Sequence, residues 1–469
     1  MSKPRTVHLV SLGCPKNRVD SEVMLGIASQ SGFLVVDDPA RADVIVVNTC
    51  GFIDAAKRES IDTILDLARY KVQGECKRLV VTGCLVQRYA ADLAADLPEV
   101  DHFLGSGDVL QIAKALDGTS ERVAVGKQAG YLLQSSHPRV VSTGKASAYV
   151  KIAEGCDRRC AFCVIPQIRG QHRSRTIDDV VAEVRELASA GVLEVNLVSQ
   201  DTIGFQRDFG EPPQQALASL VRRVADVDGI HWVRLMYLYP DPLDDELLDL
   251  LAHHPRVVPY VDMPMQHASD EILRRMRRGH TRTRLAKTIE RLRKHVPGLT
   301  IRTAFIVGFP GETDRHFDDL CSFIREFELD RVGVFRYSDE EGSASVTLDG
   351  KVPRKVSYDR ARKLMAIQRR ISRKLNRKLV GKHVQVLVQG QSEEHEYVIE
   401  GRHAGQAPDI DGKVWFTESD VAPGEIWNAE VVQASDYDLV VRVQGDRPVA
   451  ASARSPDRKR RSLPVLSQA

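Results

Sequence analysis

The sequence has no apolar run long enough to cross a membrane, and its opening, Met1-Ser2-Lys3-Pro4-Arg5, passes straight into an apolar strand without the greasy core of a signal peptide. A cytoplasmic chain with no membrane partner is therefore expected. There is no P-loop, no Rossmann glycine fingerprint and no nucleophile elbow, which leaves nucleotide hydrolysis and hydride transfer without support. Neither sign of charge is in excess: 66 Lys and Arg balance 64 Asp and Glu, so the net +2 points to no class of partner. The rest of the composition, 43% hydrophobic and 28% charged over 469 residues, is that of an ordinary globular chain of about three domains, each able to bury its own core.

Against those absences stand eight cysteines. In a reducing compartment they are not expected to form four disulfides, and six of them fall into two sets of three, so metal ligation is the leading reading. The first set lies in residues 1–134. There "TVHLVSLGC", "ADVIVVNTC" and "KRLVVTGC" read as strands, each followed by a stretch of helical length such as "DAAKRESIDTILDLARY", the pattern of a doubly wound parallel sheet. Cys14, Cys50 and Cys84 each fall one step past the carboxyl end of a strand, on the rim where open parallel sheets bind ligands. A lone buried cysteine is more often a small core residue than a ligand, and it is the shared rim that makes these three a set.

Residues 135–147, "SSHPRVVSTGKAS", read as a linker. Over 148–379, "AYVKIAEG", "VLEVNLVSQ", "HWVRLMYLY", "VVPYVDMPMQ", "IRTAFIVGF" and "RVGVFRYS" alternate with helices, which predicts an open, partial (β/α)6 barrel with its active site at the carboxyl ends of the strands. The stripe Leu364, Ile367, Ile371, Leu375 and Leu379 marks an amphipathic helix closing this region. Residues 380–445 carry short strands broken by Gly and Pro and are expected to form a small β-barrel; 446–469 are expected to be a disordered tail.

The second cysteine set, Cys156, Cys160 and Cys163 in "EGCDRRCAFCVIPQIRG", sits in the loop after the first barrel strand. A C-x3-C-x2-C loop presents three thiolates from one segment. That suits a cubane iron-sulfur cluster whose fourth iron keeps a position open for a chelating amine and carboxylate. The alternative, a structural zinc, needs a fourth ligand, for which His172 is the candidate. Cys76, in "QGECKR", and Cys321, in helical register with Phe317 and Ile324, read as non-ligands, Cys321 being in the core.

The loop of Cys156, Cys160 and Cys163, with Phe162 before the last cysteine, resembles the signature of the radical S-adenosylmethionine enzymes. The resemblance implies a 4Fe-4S cluster whose open iron binds the methionine part of S-adenosylmethionine, and reductive cleavage to methionine and a 5'-deoxyadenosyl radical. Taken together, the amino-terminal three-cysteine region, the radical region and a small barrel of TRAM type resemble the methylthiotransferases over nearly the whole chain. In them the cysteines matching Cys14, Cys50 and Cys84 hold a second cluster that takes part in sulfur delivery. The implied cofactors are thus two 4Fe-4S clusters and S-adenosylmethionine. Val198-Ser199-Gln200-Asp201 stands where the family has Gly-Gly-Glu, which makes Gln200 a candidate for holding the amino group. "TAFIVGFPGE" resembles the family's fifth-strand glycine motif and nominates Gly308, although Ala304 replaces the first glycine and Glu312 falls one position late; a plain Gly-Pro-Gly turn explains it equally. Gln266 and His267 fall at the same rim, where His267 also reads as a structural histidine. Arg274, Arg275, Arg277 and Arg278 read as a solvated helix face.

Methylthiotransferases acting on adenosine in transfer RNA usually carry Gln and Met after the first cysteine. This chain reads Gly13-Cys14-Pro15-Lys16-Asn17, which resembles the branch that modifies ribosomal protein S12, with β-methylthio-aspartate as the product. The charge map points the same way. Residues 381–445 hold twelve acids and four bases, a barrel expected to repel RNA and to attract a Lys- and Arg-rich ribosomal protein. The basic stretch 351–380 reads as a solvated helix face. Stable RNA binding is not expected, and methylthiolation of transfer RNA is the alternative. A reductant such as flavodoxin or ferredoxin and a sulfur donor are the further partners implied. Two other classes fit less well: a cluster-bearing electron carrier needs no six-unit barrel, and an RNA-binding module is ill served by an acidic one.

Overall fold

The computed structural model describes residues 4–126, 130–144, 146–392, 398–417 and 420–452. In the first of these segments the central strands are near-continuous buried runs, so both faces of one sheet are covered. Strands β1 (Thr6–Ser11), β2 (Leu34–Val35), β3 (Val44–Thr49), β4 (Arg78–Gly83), β5 (His102–Gly105) and β6 (Val123–Ala124) run parallel in the order β2-β1-β3-β4-β5-β6. The connecting helices are α1 (Pro15–Gln30), α2 (Asp54–Ala68), α3 (Tyr70–Gln73), α4 (Cys84–Asp96) and α5 (Ile112–Asp117). Val19, Val23 and Ile112 of α1 and α5 cover Val7, Leu9 and Val46 on one face. Ile64, Leu67 and Leu93 of α2 and α4 cover Ile45, Val47 and Val81 on the other. The sheet is therefore doubly wound as expected, and its order reverses between β1 and β3, where such sheets open a ligand crevice.

The second sheet is also parallel, in the order β14-β13-β12-β11-β10-β7. Its strands are β7 (Ser147–Lys151), β10 (Glu194–Val198), β11 (Trp232–Leu235), β12 (Val257–Asp262), β13 (Thr300–Val307) and β14 (Arg331–Arg336), with the short antiparallel pair β8 (Ala153–Glu154) and β9 (Arg173–Ser174) beside them. Helices α6 (Ile165–Arg169), α7 (Ile177–Ser189), α8 (Pro213–Ala225), α9 (Asp245–His253), α10 (Asp270–Arg275), α11 (Arg282–His295), α12 (Asp314–Phe327) and α13 (Arg354–Arg377) complete it. Ala148, Val150, Val195, Leu197, Val233 and Leu235 face outward into the helix layer. All six expected strands are present, but β7 begins at Ser147, the last residue read as linker, and stops at Lys151 rather than Gly155. Arg139 and Ser142 of the linker both bind the Glu22 carboxylate on α1, and Arg139 also bonds Glu183 on α7. No helix among the described residues is long and apolar enough to cross a membrane.

Strands β15 (His383–Gln391), β16 (Ile399–His403), β17 (Val414–Phe416), β18 (Glu425–Ala434) and β19 (Leu439–Val443) close a small barrel through the β15–β18 pairing. A further strand, β20 (Ala450–Ala451), pairs with β18. It lies in the stretch 446–469 expected to be disordered, and backbone pairing to the β18 edge is what orders it; residues 453–469 lie outside the described residues.

This small barrel plugs the concave side of the partial barrel. The plug is electrostatic: Glu194 on β10 accepts from Arg234 on β11 at 3.0 Å and from Arg402 on β16, with all three side chains at most 3% exposed. Tyr260 and Tyr149 donate to Asp411 and Asp409, and Arg18 of α1 pairs with Asp409. Burial works against the Glu194 charge, but Arg402 and Arg234 outweigh it and hold the carboxyl at about 2. The stabilisation it provides is complete above its unfolded value of 4.5 and is lost as pH falls through about 2. Replacing Glu194 with Ala strands two guanidinium groups in the interior, and urea denaturation at pH 7 should show a loss of about 3–5 kcal/mol; a loss below about 1 kcal/mol would mean the interior is wet.

Candidate active site

Both cysteine sets lie at carboxyl ends of parallel strands, as the sequence predicts. Cys14 precedes α1 and Cys50 follows β3, on either side of the point where the first sheet reverses; Cys84 opens α4 directly after β4. Gly13 has φ +85°, and a Cβ there would stand 2.7 Å from the Cys50 Cβ, so only glycine lets these two loops meet. The Cys50 backbone is fixed by Ser60, whose hydroxyl accepts from its N–H at 3.1 Å and donates to its carbonyl at 3.0 Å.

Cys156, Cys160 and Cys163 line the loop after β8. The loop is pinned at several points. The Cys156 N–H donates to the Gly170 carbonyl, the Ala161 N–H to the Met276 carbonyl, and the Ser345 N–H to the Ala161 carbonyl. Phe162 packs beside Ala161, Ile272, Met276 and Phe309, which accounts for an aromatic residue before the last cysteine. The Arg278 guanidinium donates to the Cys160 sulfur at 3.2 Å. This corrects one expectation: Arg274 and Arg277 are solvated, but Arg275 is half-buried and donates to the Pro310 carbonyl and Asp349, and Arg278 is buried with its head held by Cys160, the Pro264 carbonyl and the Tyr239 ring.

The two sets communicate through α6. This five-residue helix, about 8 Å long at 1.5 Å per residue, begins two residues after Cys163 and ends at Arg169. Arg169 donates to the Cys84 sulfur at 3.4 Å, to Asn17, to Asp20 at 2.7 Å and to Glu154 at 3.1 Å. Lys151 joins the same carboxylates, Asp20 and Glu154. Burial opposes the Glu154 charge, but Arg169 and Lys151 prevail and hold it at about 2. None of these five residues is legible as a site residue, since Asn17 and Asp20 meet Lys151 and Arg169 across 131 to 152 positions of sequence.

Burial, reinforced by Cys84 and Cys14, pushes the Cys50 thiol up to about 12, and burial takes Cys163 to about 12 and Cys156 to about 11. Thiols so placed need a cation or a metal to ionise. Among the described residues no three His, Cys, Asp or Glu side chains converge on a single ion. His172 bonds Ser174 through Nε2 at 3.1 Å and keeps a buried, unpartnered Nδ1, but it belongs to no group of three ligating side chains among the described residues. Two three-sulfur sets, one from three strand ends and one from a single loop, fit clusters with several irons better than a mononuclear site. Cys76 and Cys321 are buried apart, the former donating to the Arg78 carbonyl and the latter packed among Phe317 and Ile324.

At the end of β10, Gln200 donates to Glu154 at 2.8 Å, while its own Oε1 is buried and has no partner. Asp201 is alike, with Oδ2 on Arg158 at 2.7 Å and Oδ1 unpartnered. Two orphan acceptors beside the cysteine loop suit an ammonium donor, which is what the amino group of S-adenosylmethionine offers. Gly308 has a structural explanation: φ is +76° and a Cβ would stand 2.5 Å from that of Ser357 on α13. Glu312 accepts from the Gly308 N–H and from Arg360, and His267 accepts the Ser269 N–H. Gln266 bridges to β13 with φ +72°.

Comparison with known proteins agrees with this arrangement. Residues 6–105 match an uncharacterized protein family, UPF0004, residues 150–324 the Radical SAM superfamily, and residues 380–443 the TRAM domain. A ribosomal protein uS12 methylthiotransferase of Sorangium cellulosum is 58% identical over 96% of this chain and 93% of its own length. One from Anaeromyxobacter sp. strain K is 48% identical over 99% and 97%. The chain is a radical SAM methylthiotransferase. Among solved structures, a radical S-adenosylmethionine methyltransferase of Kitasatospora setae aligns with TM-score 0.51 at 17% identity, covering 71% of this chain and 75% of that one, a likeness of fold alone. Membership of the radical SAM methylthiotransferases brings with it S-adenosylmethionine and a 4Fe-4S cluster.

Proposed function

We propose that the chain methylthiolates the β-carbon of an aspartate in ribosomal protein uS12. The observation that carries the reading is the pair of three-cysteine sets, each at carboxyl ends of a parallel sheet and bridged by α6 and Arg169, since the reaction asks for a radical and a sulfur source side by side. The names of the close relatives support the substrate. In this reading Cys156, Cys160 and Cys163 hold one cluster, and Cys14, Cys50 and Cys84 hold the second. When loaded, the first cluster with S-adenosylmethionine supplies a hydrogen-abstracting radical and the second takes part in sulfur delivery.

The chain's own residues orient and shield. Gln200 and Asp201 accept from the amino group of S-adenosylmethionine. Arg278 and Arg169 set a positive charge against sulfur in each loop, favouring the thiolates that ligation needs. Val164, Ile168 and Phe52 around Cys84 keep water from the space between the sets. A one-electron donor such as flavodoxin or ferredoxin, and a sulfur donor, complete the reaction in the cytoplasm. Asp409 and Asp411 accept from Tyr149 and Tyr260 of the partial barrel and Asp436 pairs with Arg373, so these three acids are engaged within the chain; the remaining excess of acids over bases in 381–445 supports a basic protein substrate rather than RNA.

Peptide mass spectra from a strain lacking the gene should lose the methylthio mass on one aspartate of uS12, with methylthiolated transfer RNA nucleosides unchanged. The opposite pattern would move the substrate to transfer RNA.

A further inference from the structure

Only two lysines of the described residues are less than a tenth exposed, Lys16 and Lys151. Lys151 sits between two carboxylates, Asp20 and Glu154. Lys16, 6% exposed, has no carboxylate within ion-pair distance among the described residues; its ammonium lies 3.2 Å from the centre of the Tyr237 ring. Burying an ammonium over an aromatic face recovers part of its solvation cost, but a partner anion recovers far more. Asp262, whose charge Lys16 feels, is already taken, by Arg302 at 2.8 Å and by the Tyr237 N–H at 3.1 Å.

Tyr237 itself is held at φ +60°, a conformation that non-glycine residues rarely adopt. Its N–H donates to Asp262 and its carbonyl accepts from the Thr202 N–H at 3.2 Å. Strain of this kind persists where surrounding structure enforces it for a purpose. Here it presents the ring to Lys16 at the carboxyl rim of β11, next to the β10 rim that carries Gln200 and Asp201. Lys16 is two residues from Cys14, so the ammonium stands between the sulfur set of the first sheet and the rim of the second.

We infer that Lys16 is the binding residue for the carboxylate of the substrate aspartate, with the Tyr237 ring as the apolar wall beside its β-carbon. An ammonium there fixes the side chain by its charged end and leaves the adjacent carbon facing the space between the two cysteine loops. The same device discriminates, because an amide or an uncharged side chain leaves Lys16 buried without its anion. This rests on the reading of uS12 as substrate.

The test uses the reconstituted holoenzyme, full-length uS12, and uS12 with the modified aspartate changed to Asn. The wild type should bind the aspartate form about 10- to 100-fold more tightly, the span of one charge-assisted hydrogen bond. In Lys16→Met the preference should vanish, with affinity for the aspartate form falling to that for the Asn form and the latter unmoved. Lys16→Gln replaces it if the Met variant loses iron. A variant that keeps its iron and still prefers aspartate, or that loses affinity for both forms equally, overturns the assignment; so does loss of iron from both variants, which would make Lys16 scaffold. A wild type that neither binds nor modifies uS12 defeats the substrate reading instead, and this assignment with it.

Discussion

Iron and acid-labile sulfide should fall to about half when Cys156, Cys160 and Cys163 are replaced together by alanine, and cleavage of S-adenosylmethionine should cease altogether. The half follows from two clusters of equal iron content, each on three protein ligands. The surviving set has its own supports: the Gly13 turn against Cys50, the Ser60 clamp on the Cys50 backbone, and Arg169 on Cys84. None of these passes through the substituted residues. Metal and sulfide analysis after anaerobic reconstitution decides it, and loss of all iron, or zinc in place of iron, would contradict two independent clusters.

The complementary variant divides the chemistry. With Cys14, Cys50 and Cys84 changed to alanine, 5'-deoxyadenosine should still form while the methylthio product disappears entirely. The orphan oxygens of Gln200 and Asp201, the Arg278 contact to Cys160 and the backbone pins from Gly170, Met276 and Ser345 are all supplied by the second sheet and its loops. The first sheet meets that loop through α6 and through Val164, which packs with Cys84 and Phe52. Liquid chromatography of the nucleoside beside peptide mass spectrometry reads both outcomes, and a well-folded variant that makes no 5'-deoxyadenosine would refute the division.

What was legible in the sequence was whatever local order encodes. The cysteine loop is contiguous, the three rim cysteines each close a Val- and Leu-rich strand, and the Leu364, Ile367 and Ile371 stripe lies on the buried side of α13. The hidden parts are long-range. Arg169 and Glu154 stand inside the quoted cysteine stretch yet reveal nothing until Asp20 and Asn17 of α1 are brought against them. Lys16 is visible in the sequence as part of a branch-marking pentapeptide, but its want of an anion is a property of its neighbours. The acid count of the small barrel hides the fate of Asp411, whose side chain is buried against Tyr260 and Arg302, and of Asp409, which stays exposed but is engaged by Tyr149 and Arg18. Arginine runs mislead similarly: of four near one helix, the one that matters is the one whose side chain is covered.

The electrostatic plug sets an order of events during synthesis. Glu194 and Arg402 are 208 positions apart, and at about 5–20 residues per second a ribosome needs on the order of 10–40 s to pass from one to the other. The last strand of the partial barrel, β14, ends at Arg336, 66 positions before Arg402, so for about 3–13 s of that interval the sheet is complete while its concave side, with Glu194, Arg234, Tyr149 and Tyr260, stands open to solvent. The last-made segment is therefore a stopper rather than an appendage. A chain that stops short of residue 402 keeps a wet, charged hollow where a sealed interior belongs, and early termination is expected to register as proteolytic loss of the whole protein.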